Sequence, residues 1–142
     1  MIDGKALRLS ALLLVLGFFF YVVVGLLHPD GPANDHRVVF AEYAGSAAWT
    51  AVHLGQFAGM TVIIAGLLVL YFALDLRAGG AAWLARLGAV CAVTALGLYG
   101  VLQAVDGVAL KQAVEAWAGR AGGGEGGPLR RCRGDSVAGL GH

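Results

Sequence analysis

Residues 9–27 read LSALLLVLGFFFYVVVGLL, nineteen positions with no charge and Ser10 as the one polar side chain. A bilayer's hydrocarbon core is ~30 Å thick, so a helix needs ~20 apolar residues to cross it. This stretch meets that demand, and two others repeat it. Residues 43–74 are uncharged throughout, and the 22 from 53 to 74 suffice to cross; residues 87–105 add another 19. In lipid, backbone polar groups must be satisfied internally, and no alternating strands offer a barrel, so each run is a helix. The expected fold is all-α: a transmembrane helical bundle with spans at about 9–27, 50–74 and 87–105.

Composition agrees. The 142 residues are 58% hydrophobic and 13% charged, about half the ~25% charge of a soluble domain. A chain this short buries too small a fraction of itself to hide so much apolar surface from water. The lipid bilayer is therefore its solvent. Ten basic against nine acidic residues leave a net charge of +1, which argues against nucleic acid as a partner. Cys91 and Cys132 form no CxxC pair and join no His/Cys cluster with metal-ligand spacing.

The first run resembles a secretory leader in its Lys5 and Arg8, but it exceeds the ~7–15 residues of a leader's apolar core. Its exit, Gly25-Leu-Leu-His-Pro29, also lacks a small-x-small cleavage pattern, so a retained span is expected. Lys5 and Arg8 before the first span, with Arg77 and Arg86 between the second and third, place the N-terminus in the cytoplasm of an inner (plasma) membrane. The loop carrying Asp30, Asp35, Arg37 and Glu42 then lies outside. Turn-forming residues after His28 stop the first helix. Asn34 or Asp35 caps a short interfacial helix over about 35–48.

Past the third span, residues 106–117 still read as helix, with Lys111 and Glu115 four apart. Residues 1–118 are expected to form the transmembrane domain. Residues 119–142, with nine glycines and four arginines, are expected to be a disordered tail. An odd number of spans puts this basic tail outside, against the orientation rule. The expectation is that the reading frame has shifted, or the chain has been cut short, after about residue 117.

Helical spacing gathers polar side chains toward the outer end of each span. Tyr21 and His28 share a face of the first, His53 and Gln56 a face of the second, and Tyr99, Gln103 and Asp106 a face of the third. Packed as a bundle, they place His28, His53, Gln56, Gln103 and Asp106 in one outer polar pocket, with Asp106 as the natural partner of His53. The plainer role of such groups is hydrogen-bonding glue between helices, at ~0.6 kcal/mol apiece. A ligand or proton site is the alternative. Two histidines on different helices also raise haem or a metal as a cofactor of a membrane anchor subunit, though neither lies in a haem-attachment motif. Gly55 and Gly59 form a GxxxG pair, and Gly88 with Ala92 a related one, which suit close helix packing. No Walker A loop, GxGxxG, GxSxG or HExxH is present.

The strings Leu27-His28-Pro29, Phe40-Ala-Glu-Tyr43 leading to Trp49 and His53, and Gln103-Ala-Val-Asp106-Gly-Val-Ala-Leu-Lys111 resemble a group of bacterial multi-span membrane proteins of unknown function. The resemblance covers about residues 9–117. It implies further spans beyond the counterpart of Trp117 and carries over no catalytic role. The functional expectation is a non-enzymatic bundle that associates with itself or with a membrane-protein partner.

Overall fold

Glycine and serine on two facing stripes decide how the chain packs. The structure, a computed structural model, describes residues 3–29, 34–74, 76 and 78–123. These form α1 (Gly4–Gly25), α2 (His36–Gly45), α3 (Trp49–Ala73), α4 (Gly79–Ala104), a π-helical turn (Val105–Leu110) and α5 (Lys111–Gly123), with no strand among them. Three helical runs are long and apolar enough to cross a membrane: α1, α3, and the continuous run from Gly79 to Arg120. The third begins earlier than expected and does not end at residue 105. Helix also continues to Gly123, past the expected boundary at 118. The remainder of the expected tail, 124–142, lies outside the described residues.

α1 and α3 run antiparallel in close contact. Ser10 donates to the Gly66 carbonyl at 2.8 Å, and Asp3 N–H reaches the Ala73 carbonyl at 3.3 Å. A methyl group on Gly17 would stand 2.9 Å from the Ile63 nitrogen, and one on Gly59 3.1 Å from the Tyr21 Cα. Ser10, Leu14, Gly17, Tyr21 and Val24 thus follow a 4,3 spacing against Gly66, Ile63, Gly59 and Gly55. Apolar side chains gain nothing from leaving lipid for a helix interface, so contact here rests on backbones brought close by small residues and on hydrogen bonds. Caps begin the helices: Asp3 accepts from Lys5 N–H at 2.9 Å, and Asp35 from Arg37 N–H at 3.1 Å, each satisfying an otherwise orphaned donor.

α4 meets α3 at one end and parts from it at the other. At the end carrying His53, a methyl on Gly107 would stand 2.6 Å from the His53 Cβ, whereas one on Gly88 or Gly97 would meet nothing within 4 Å. The run Gly79–Arg120 has 42 residues, which is about 63 Å of helix at ~1.5 Å per residue. That exceeds the ~40–45 Å of a bilayer with its headgroups, so α5 projects beyond the apolar zone. There it packs on α2. Val39 and Val114 are buried, and Phe40 meets Trp117 edge-on with ring centroids 5.8 Å apart.

Candidate functional site

Trp49 opens α3 and is 2% exposed, which makes it the centre of the His53 end. Its ring lies 4.0 Å from Tyr43, 4.6 Å from His53 and 5.0 Å from His28, centroid to centroid. Its indole N–H donates to the Asp106 carbonyl at 2.7 Å, and the next side chain, the Thr50 hydroxyl, donates to the Gly107 carbonyl at 2.7 Å. These two acceptors belong to the π turn, where the helical ladder is re-registered and carbonyls become available to a neighbour. Gly107 is required at that contact, because its backbone sits against the His53 Cβ. The turn is therefore held by α3 side chains.

Of the five expected pocket residues, the structure joins some and separates others. His28 and His53 come together, ring centroids 5.2 Å apart and tilted by 58°. Gln103 shares a cleft with His53. Gln56 turns the other way, its Nε2 lying 3.5 Å from where a methyl on Gly25 of α1 would stand. Asp106 contributes its main chain: no ion pair to His53 forms among the described residues. Asp106 lies in the π turn, which presents its carbonyl, and not an ion-pairing carboxylate, to α3. For the expected packing pairs, Gly55 lies against Val24 and Gly59 against Tyr21 of α1, while a methyl on Gly88 would meet nothing within 4 Å. Gly88 and Ala92 instead line a cleft between α3 and α4.

Both histidines are oriented by carbonyls. His53 Nδ1 lies 2.8 Å from the Trp49 oxygen and His28 Nδ1 3.0 Å from the Pro29 oxygen. A carbonyl can only accept, so each Nδ1 carries the proton, and in the neutral ring Nε2 keeps its lone pair. Such an orientation also suits metal ligation. Two axial haem ligands, however, stand on opposite faces of a flat macrocycle. These rings lean on one another and share Trp49 as a third wall, which does not fit that arrangement. No group of three or more His, Cys, Asp or Glu placed to hold a metal occurs among the described residues.

Lys111 was legible from sequence only as an i,i+4 partner of Glu115, and that pair does form at 3.2 Å. Its larger role is elsewhere. The ammonium donates to the carbonyls of Tyr43 at 2.9 Å, Ala44 at 2.8 Å and Ser46 at 2.8 Å, closing the C-terminal end of α2. Charge-assisted hydrogen bonds contribute ~1.5–3 kcal/mol, whereas a helix-surface ion pair contributes ~0.3–0.5 kcal/mol. Glu115 is 53% exposed, against 14% for Lys111, so the carbonyl contacts dominate. The sequence signal was a lone cation close after an apolar run, facing a short helix with no basic residue in its own last turn.

A further tie crosses the bundle: the Tyr99 hydroxyl donates to the Tyr21 hydroxyl at 3.3 Å, linking α4 to α1. Comparison with family models, curated proteins and solved structures returns no match, so the site rests on its own geometry.

Proposed function

We propose that this chain is a non-enzymatic helical bundle of an inner membrane that associates, through α4, with a second copy of itself or with another membrane helix. The observation that carries this reading is the face of α4 around Gly88. The most apolar stretch of the run Gly79–Arg120 holds no buried residue. Toward the Asp3 end, Gly88, Ala89 and Ala92 line a wedge of about 310 Å³ whose opposite wall is Leu67, Leu70 and Tyr71 of α3. Small residues on a spanning helix allow close backbone approach, and here the approach is not made within the chain. The wedge accommodates side chains of an adjoining helix.

Lys5, Arg8 and Arg86 lie at the Asp3 end, which supports a cytoplasmic N-terminus. At the opposite end, Lys111 is engaged by α2 carbonyls.

A photo-crosslinking side chain at position 88, activated in intact membranes, tests the association. An adduct at twice the 14.6 kDa chain mass is expected for self-association, and a discrete heavier adduct for another membrane protein. Crosslinks to lipid alone would overturn the reading.

A further inference from the structure

The second cleft between α3 and α4, at the His53 end, differs in chemistry from the wedge at Gly88. It encloses about 240 Å³ and is lined by His53, Leu54 and Phe57 of α3 and by Gly100, Gln103 and Val108 of the α4 run. Gln103 lines it, and the Gln103 Oε1 is buried with no hydrogen-bond partner among the described residues. Buried polar atoms ordinarily have partners, and each exception needs an explanation. The Gln103 amide N–H₂ is turned to the Tyr99 hydroxyl, and the other polar walls are acceptors. His53 has its Nδ1 proton committed to the Trp49 carbonyl, and Thr50 has its hydroxyl proton committed to the Gly107 carbonyl. A site built this way asks its ligand to supply hydrogens.

The rest of the lining narrows the class. No Lys, Arg, Asp or Glu contributes to it, so nothing there neutralises a phosphate, a carboxylate or an ammonium. The volume falls below the ~300–1,000 Å³ of pockets that enclose a whole drug-sized molecule, which suits a single ring or headgroup. Leu54 is 59% exposed and Val108 42% exposed at the rim, so the mouth opens where acyl chains lie. We infer that this cleft binds the neutral, hydroxyl-bearing ring of a small amphiphile, a phenol or hydroquinone type of headgroup, donating to Gln103 while its tail extends into lipid. The inference is independent of the association through Gly88, which lies at the other end of α4.

Full-length protein in nanodiscs, titrated with 4-octylphenol and with its methyl ether 4-octylanisole, tests this by protein-observed NMR shifts. Saturable shifts around Trp49 and His53 with the phenol are expected, and about tenfold weaker binding for the ether, which has no hydrogen to donate. Gln103→Leu should bring phenol affinity down to that of the ether, and Gly100→Leu should abolish binding of both by filling the cleft. Equal affinity for phenol and ether, unchanged phenol binding in Gln103→Leu, or no saturable shift in the wild-type chain would each overturn it. The Gln103→Leu and Gly100→Leu proteins are first checked for wild-type thermal unfolding, and should either fail to fold, the phenol-against-ether comparison on the wild-type chain decides alone.

Discussion

The α1–α3 interface and the α3–α4 interface use the same residue types to opposite effect. Along α1 and α3, glycines at 17, 59 and 66 each face backbone or side-chain atoms at about 3 Å, and a serine hydroxyl bridges the helices. Along α4, Gly88 and Gly97 face open space, and close approach to α3 comes only further along, at Gly100 against Phe57 and at the π turn. A small residue in a spanning helix therefore does not identify an interface by itself. What matters is whether the partner backbone is held in register, here by Ser10 on one pair of helices and by Trp49 and Thr50 on the other.

Substitution along the closed interface should hurt most. Gly59→Leu puts a branched side chain against the Tyr21 backbone, which cannot yield, and is expected to cost about 3 kcal/mol or more, at the upper end of overpacking penalties. Chemical unfolding in detergent reads this as a large fall in midpoint, and wild-type stability would break the comparison. Gly107→Ala is next. Its methyl meets the His53 Cβ, and a loss of about 1–3 kcal/mol is expected, together with release of the Trp49 indole seen as a shifted fluorescence maximum.

Lys111→Met removes the charge that closes α2 while keeping much of the stem, and about 2 kcal/mol of α2–α5 docking should be lost. Limited proteolysis within residues 36–48 should accelerate while the spans stay protected. Ser10→Ala sharpens the α1–α3 side at small amplitude, about 0.6 kcal/mol. Gly97→Leu is the control on the open side and should leave unfolding within about 0.5 kcal/mol of wild type.

The spans were legible because length and apolarity alone decide them in lipid. Residues 9–27 and 53–74 announce helices whatever their neighbours do. The start of α2 was legible for a local reason too, since Asp35 caps the turn that follows it. The site was harder to read. His28 and His53 were placed together by depth along their helices, and depth survives small errors of rotation. Asp106 was placed by face, and face does not survive a π turn, which shifts every later residue around the axis. Lys111 is visible in one dimension only as the i,i+4 neighbour of Glu115, whereas the carbonyls of 43, 44 and 46 become its neighbours only after the chain has doubled back.

The unbroken helix from Gly79 to Arg120 has a mechanical consequence. A spanning helix adjusts to a thinner bilayer by tilting, and this one carries α5 rigidly on its far end, with α2 clasped to it by Lys111. Tilting the run would therefore shift α2 and α5 together, since Lys111 joins them.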